Sequence, residues 1–495
     1  MKYDVIIGLE IHAELKTQSK MFCACQNNLS GQKANTAICP ICLGHPGTLP
    51  MPNSQALEMI LLLGLALNGE INQISKFDRK NYFYPDLPKG YQISQYDLPL
   101  IYNAALEIDD QNIAITRLHL EEDTGKLSHP AKANHTLIDF NRAGTPLIEM
   151  VTEPVIKSAE QAKKFCQKYQ QILRYLNISD ADMEKGQMRC EVNISLQKPG
   201  TWVYQNGQIE ALKNYNLNPK AEIKNINSFK AVERAINFEI TRQSELLDQG
   251  QKVLPETRGW SDSQNITKSQ RLKETSADYR YFPEPDIPPI EINQGLINEI
   301  KNRLIELPVA KTSRFIQEYG LKPELAETIT ADKALADWFE EAVSEIRAWI
   351  ETGGDDWERQ GQKLAATTAN WLTSELLKYD RNKYPTPNDF AKLISLIYQD
   401  KINSSAGQEI LKAMIKTKSD PLDLMKKMNL EQTDNSAELE KIIKQIIKLN
   451  PEQLAQYLKG KTGLIQFFVG QTMAKTHGKA NPKKVLELLQ KYLNQ

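Results

Sequence analysis

Between residues 117 and 154 the chain repeats one pattern three times: a short run of alternating polar and apolar residues, ending in a turn. Alternation of period two marks a half-buried strand, because successive side chains on a strand point to opposite faces. The first run, 117–121, continues into Glu122 and the turn-forming Asp123-Thr124-Gly125-Lys126. Glu121 and Glu122 are adjacent, so they must face opposite sides. The second run, 136–142, ends in Ala143-Gly144-Thr145-Pro146, and the third, 147–151, carries Glu149 inside an otherwise apolar strand. Inward acids on neighbouring strands could gather a hard cation such as Mg²⁺, which takes oxygen ligands and often substrate phosphates as well. The competing reading is an acidic sheet face paired with lysines.

A chain of 495 residues has room for two to four domains. Its 61 basic and 62 acidic residues nearly cancel, which hides any local patch. The apolar run 57–67 is too short to span a bilayer, and the N-terminus, alternating polar and apolar, does not read as a signal peptide. A cytoplasmic protein is therefore expected, and in that compartment six cysteines mean thiols or metal rather than disulfides.

The first strand is expected over residues 4–15, with Glu10, His12 and Glu14 on one face and Ile7, Leu9 and Ile11 on the other. Glu10 and His12 could be metal ligands, acid/base groups or a solvated face. Cys23, Cys25, Cys39 and Cys42 form two close pairs, a spacing suited to structural zinc, with free thiols as the alternative. Asn53 or Ser54 can cap a helix running to about residue 67. Residues 77–92 are dense in aromatic and basic groups, among them Lys80 and Lys89, and suit ligand contact or a stabilised turn. An amphipathic helix is expected over 158–176. A strand follows, with Arg189, Glu191 and Asn193 on one face, and another helix runs to about residue 247. The proline-rich run 283–289 reads as a boundary. Helices dominate after about 297, and from residue 459 onward seven lysines stand against one acid. Lys475, Lys479, Lys483 and Lys484 could contact a phosphate backbone or form a solvated face.

Several of these runs together resemble one family. GLEIHAEL, CPICLGHPG, FDRKNYFYPDLPKGYQISQYD, RLHLEEDTGK, NRAGTPLIEMVTEP, MRCEVNIS, ETRGW and DYRYFPEPDIPP are similar to segments of the B subunits of bacterial glutamyl/aspartyl-tRNA amidotransferases. The likeness is dense to about residue 289 and resumes at 463–482. It implies an α+β fold: an antiparallel-sheet cradle, similar to glutamine synthetase and the guanido kinases, followed by all-α helical and tail domains. The expected divisions are 1–293 with the cysteine insert at 23–42, then 294–405, then 406–495.

The resemblance also implies a reaction. ATP phosphorylates the side-chain carboxylate of a glutamate or aspartate misacylated onto tRNA, and ammonia then displaces phosphate to give the amide. It places Mg²⁺ ligands at Glu10, His12, Glu122 and Glu149, with Glu191 possible and His12 alternatively orienting the acyl phosphate. Phosphate and transition-state charge would fall to Arg189, Lys80 and Lys89. ATP, Mg²⁺ and structural Zn²⁺ are the implied cofactors. A glutaminase A subunit, a small C subunit and misacylated tRNA are the implied partners, and the tail would contact the tRNA. A tRNA-binding module without chemistry is the alternative.

Overall fold

The computed structural model describes residues 2–130, 133–272, 279–352, 357–432, 436–476 and 480–493. It divides into two compact units, Met1–Leu307 and Pro308–Gln495.

The first unit is built on a nine-stranded sheet. In chain order its strands are β1 (Asp4–Glu14), β2 (Glu70–Ile71), β3 (Ile101–Ile108), β4 (Gln111–Glu122), β5 (Pro146–Thr152), β6 (Met188–Gln197), β7 (Ala221–Ile226), β8 (Glu256–Ser261) and β9 (Ile266–Leu272). Across the sheet the order is β9-β8-β7-β6-β1-β5-β4-β3-β2, antiparallel throughout except between β7 and β8. The alternation read from residues 4–15 is realised. Ile7, Leu9, Ile11 and Ala13 are buried on one face, beneath helices α1 (Ser54–Ala66), α2 (Ala159–Tyr175) and α3 (Phe229–Asp248). Each helix begins where a short polar side chain can accept a first-turn N–H. Asn53 accepts from Ala56, Ser158 from Gln161 and Ser228 from Ala231, each cap being worth about 1 kcal/mol. The other face of the sheet carries the polar residues and is left as a cradle.

Two expectations change. The run 136–142 joins no central strand. Only Leu137–Asp139 pairs, with Lys126–Ser128, outside the large sheet. Asn141 turns its side chain back instead, accepting the N–H groups of Thr36 and Ala37 (2.8 Å each) and so tying down the cysteine insert. Local side-chain bonding of this kind competes with the strand ladder. The proline-rich run 283–289 is likewise no boundary. Phe282–Pro283 pairs with Arg79 and Asp78, and Ile290–Glu291 pairs with Ser75 and Ile74. Helix α4 (Gln294–Asn302) buries Ile300 in the same core, so the unit extends through Leu307.

The second unit is helical: α5 (Pro308–Tyr319), α6 (Pro323–Thr330), α7 (Lys333–Thr352), α8 (Trp357–Ser374), α9 (Pro387–Tyr398), α10 (Ser404–Thr417), α11 (Pro421–Lys427), α12 (Ser436–Leu449), α13 (Pro451–Leu458), α14 (Ile465–Lys475) and α15 (Pro482–Leu493). Its apolar interior comes in two parts. One runs from Phe315 to Met425 and includes the α7 stripe Leu335, Phe339, Ala342, Val343 and Ile346. The other runs from Leu439 to Leu493. Helices α10 and α11 belong to the first part, so the cores part company after residue 425 rather than at 406. No helix among the described residues is long and apolar enough to cross a membrane.

Candidate active site

Four adjacent strands of the cradle face carry the site. In register, His12 on β1 stands opposite Glu149 on β5, which stands opposite His119 on β4. On its other side His12 faces Arg189 on β6, and Glu10 faces Glu191. Cross-strand neighbours on one face lie about 4.5–5.5 Å apart, so the ladder draws these side chains into contact. His12 Nε2 lies 3.3 Å from both Glu121 Oε1 and Glu149 Oε2, and 3.9 Å from Glu10 Oε1. His119 Nε2 is 3.4 Å from Glu149 Oε2. Ligand atoms of Glu10, His12 and Glu149 fall within 4.8 Å of one another, as do those of His119, Glu121 and Glu149. The oxygen-rich donor set fits a hard divalent cation, and the buried His119 Nδ1 has no hydrogen-bond partner among the described residues.

Burial and mutual repulsion leave their mark on the titration of these groups. Glu10 is pushed up to about 7, first by burial and then by the Glu149 charge, with His12 offsetting part of it. For His12 burial works against the charged form. Hydrogen bonds to Glu121 and Glu149 outweigh it and hold the imidazole well above its usual range. Burial likewise opposes ionisation of Glu149, yet the charge of His119 and hydrogen bonds from both imidazoles hold it well below the carboxylate range.

Cations ring the cluster. The Lys80 ammonium is raised because Glu121 and Glu149 outweigh its burial, and it lies 5.1 Å from the centre of the Tyr279 ring. Lys224 Nζ sits 2.7 Å from Glu191. Arg189 is held at 2.9 Å by Asp123, itself only 4% exposed. Together with Tyr82, Thr124 and Leu147 these groups line a cleft of about 330 Å³.

Of the residues expected from the sequence, the fold brings Glu10, His12, Lys80, Arg189 and Glu191 to the lining of this cleft and sets Glu149 against His12 beside it. It does not bring Glu122 or Lys89. Glu122 points through the opposite face of the sheet, where its carboxylate accepts Lys89 Nζ at 2.5 and 2.7 Å and the Ile93 N–H at 3.0 Å. Glu121 stands in the cluster instead. The reason is strand parity: Glu122 falls in step with Leu118 and Leu120, both in the core, whereas Glu121 falls in step with His119 and Arg117. That signal is present in the sequence. His119 and Asp123 lie within the run RLHLEEDTGK but are not among the site residues expected from the sequence, and neither is Lys224.

The four insert cysteines converge, every Sγ lying within 4.8 Å of the others. Lys20, 1% exposed, places Nζ 2.8 Å from the Ala37 carbonyl and 3.8 Å from Cys42 Sγ. Cys42 also accepts the Cys39 N–H at 3.1 Å. Its thiol is pulled down to about 5, chiefly by its hydrogen bond with Cys23, whose own thiol is pushed up. Four converging sulfurs, with Cys42 drawn toward the thiolate and the Cys39 N–H aimed at it, suit a tetrahedral zinc site. In the tail, Lys475 closes α14 and Lys483 and Lys484 open α15; Lys479 lies outside the described residues.

Comparison with known proteins accords with this architecture. Residues 5–298 match the GatB/GatE catalytic domain and residues 358–493 the GatB domain. The aspartyl/glutamyl-tRNA(Asn/Gln) amidotransferase B subunit of Thermomicrobium roseum is 44% identical over 508 residues, covering 100% of this chain and 99% of the relative. Those of Thermosipho melanesiensis (43%, covering 100% of each) and Rippkaea orientalis (42%, covering 99% of this chain and 98% of the relative) agree along the same length. The likeness thus runs the whole length of the chain, which belongs to the family of aspartyl/glutamyl-tRNA(Asn/Gln) amidotransferase B subunits.

Proposed function

We propose that the cradle activates the side-chain carboxylate of glutamate or aspartate misacylated onto tRNA, by transfer of the ATP γ-phosphoryl group, and that ammonia then forms the amide. The observation that carries this reading is the clustering of Glu10, His12, His119, Glu121 and Glu149 on one open sheet face, ringed by Lys80, Arg189 and Lys224. A free carboxylate resists attack by ammonia because its oxygen is a poor leaving group; an acyl phosphate does not. Phosphoryl transfer needs reactants held in line and charge neutralised, not covalent help from the protein. Mg²⁺ held by Glu10, Glu121 and Glu149, with the imidazoles of His12 and His119 beside it, would supply charge neutralisation on the phosphates. Lys80, Arg189 and Lys224 would bind the phosphate oxygens, and Asp123 fixes Arg189 in place. The cradle would thus share its antiparallel-sheet fold with glutamine synthetase and the guanido kinases.

Ammonia would come from a glutaminase A subunit, with a small C subunit completing the complex. The cysteine insert would bind one Zn²⁺ as a structural element, which metal analysis of the pure chain tests; a zinc-free protein leaves free thiols. The C-terminal helices would hold the tRNA backbone.

The test is Glu149→Gln in the complex that co-purifies with the chain, supplied with ammonium so that no glutaminase is needed. We expect ATP-dependent amidation of both misacylated tRNAs to fall at least about 10²-fold, the scale for losing one group that stabilises transition-state charge, with tRNA retention on filters unchanged. Full activity in this variant overturns the reading. Retention of tRNA with no ATP-dependent product from the wild-type complex leaves a binding module.

A further inference from the structure

Lys20 is a buried cation with no carboxylate to match it. The residue is 1% exposed, yet among the described residues no acid lies within 4 Å of its ammonium. Taking an ammonium out of water is costly unless a counter-charge and hydrogen bonds replace the solvent. Lys20 has three N–H donors to place. One goes to the Ala37 carbonyl at 2.8 Å and a second to Cys42 Sγ at 3.8 Å, a reach that the size of sulfur allows. A carbonyl carries no net charge, so the balancing charge has to come from the sulfurs. The other lysine beside them, Lys89, shares a small cavity with Cys23 and Cys42 but is already matched by Glu122 at 2.5 and 2.7 Å.

The position of the ammonium is fixed by the fold rather than by chance. The Lys20 N–H donates to the Cys25 carbonyl at 2.9 Å and the Met21 N–H to the Gly144 carbonyl at 2.7 Å, so this segment is pinned between the insert and the turn before β5. Gly144 has a φ of +88°, where glycine is favoured, and a Cβ there would sit 3.4 Å from Lys20 Cδ and 3.5 Å from Cys42 Cβ. The turn therefore packs against both the lysine stem and the cysteine. From the same turn Asn141 accepts the N–H groups of Thr36 and Ala37, which holds the Ala37 carbonyl where Lys20 meets it.

We propose that Lys20 is the internal counter-charge of a metal–tetrathiolate centre at Cys23, Cys25, Cys39 and Cys42. The assignment rests on the zinc reading of the insert. Zn²⁺ with four thiolates carries two surplus negative charges, here at a site where Cys23 and Cys42 are buried. The Lys20 ammonium cancels one of them. Together with the Cys39 N–H on the same sulfur at 3.1 Å, it draws electron density onto Cys42 Sγ and makes that thiolate the least nucleophilic of the four.

Metal binding by the full complex carrying Lys20→Met tests this, since the substitution keeps an unbranched stem and removes the charge. A complex carrying Cys25→Ser is subtracted so that only the insert is read. Outer-sphere partners of metal ligands set affinity by about 10–100-fold. We expect Lys20→Met to yield its zinc at a concentration of a chromogenic chelator at least about tenfold lower than the wild type requires. With Co²⁺ in place of zinc, the sulfur-to-cobalt charge-transfer band should move to lower energy, because a sulfur without the ammonium holds its electrons less tightly. A purely structural role for Lys20 would loosen the site without moving this band at full cobalt occupancy. Zinc held as in the wild type, or a band that stays in place, overturns the counter-charge. Should Lys20→Met not fold, Lys20→Arg and Lys20→Gln decide: zinc kept in the first and loosened about tenfold in the second supports it, and equal retention in the two overturns it. A wild-type complex that takes up neither zinc nor cobalt at the insert sinks the zinc reading and the counter-charge with it. A metal-loaded wild type beside an unaltered Lys20→Met sinks the counter-charge alone.

Discussion

Glu121 and Glu122 are neighbours in the chain, and both are almost wholly buried, yet they meet opposite environments. Glu122 passes through the sheet to a single lysine, whose ammonium it takes at two oxygens, and to a backbone N–H. Its charge is matched within the chain. Glu121 faces the cradle, where its nearest ionic partner is His12, with a serine hydroxyl at 3.3 Å; no lysine or arginine lies within 4 Å of it among the described residues. A buried carboxylate is tolerated when paired and hydrogen-bonded. The Glu122 arrangement meets that condition by itself. Glu121, with Glu10 and Glu149, has imidazoles as its nearest charged partners, with Arg117 3.7 Å from Glu149, an arrangement that suits a cation taken up from outside.

The two conservative substitutions should therefore fail in different ways. Glu121→Gln should cut ammonium-driven amidation at least about 10²-fold and raise the Mg²⁺ concentration needed, with the thermal unfolding temperature little changed. Glu122→Gln leaves the Lys89 ammonium buried without its counter-charge. We expect it to destabilise the first unit by about 3–5 kcal/mol, read by denaturant unfolding, while the Mg²⁺ requirement of whatever folds stays where it was. Interchanged results would mean that the two faces have been assigned the wrong way round.

The same contrast shows how far the sequence can be read. Alternation locates β1, β4, β5 and β6 and aims Glu10, His12, Glu149, Arg189 and Glu191 at one face, because a two-residue period is a property of the strand itself. Glu122, which the resemblance implies as a metal ligand, lies on the face opposite Glu121, and its step with Leu118 and Leu120 already says so in the sequence. Lys89 is misplaced for another reason: it stands in a loop, where no period fixes the direction of a side chain. Asn141 and the run 283–289 mislead because their partners, the cysteine insert and the strands near residues 74 and 78, are remote in sequence. Local pattern is silent about pairing across such distances.

The helical unit gives a second comparison, between its two apolar cores. Since α10 and α11 pack with the first core, a deletion that began at residue 406 would strip both helices from that core. Deleting 436–495 respects the division. If the tail lysines meet phosphates, this deletion should weaken tRNA binding and lower the slope of log affinity against log salt by about 2–3, the amount expected for losing three contacts. An unchanged slope would make Lys475, Lys483 and Lys484 a solvated face.

The smallest effect should come from Glu239, a buried acid whose charge, like that of Glu122, is matched within the chain. It is 0% exposed on α3 and is held by Arg242 at 2.8 Å, Arg258 at 3.0 Å and the Thr267 hydroxyl. Burial opposes its ionisation, but hydrogen bonds from Arg242, Thr267 and Gln243 prevail and set it below the usual carboxylate range. The folded chain therefore releases this proton more readily than the unfolded chain does. Its contribution to stability is complete above the unfolded value of about 4.3 and disappears as pH falls through the depressed folded value. Glu239→Gln should lower stability at pH 7 and flatten the acid limb of a stability-against-pH curve, without touching amidation. A variant with the same acid limb as the parent would show that the arginines, already satisfied by Glu256, do not need this carboxylate, and the distinction between matched and unmatched acids would then rest on the Glu121/Glu122 pair alone.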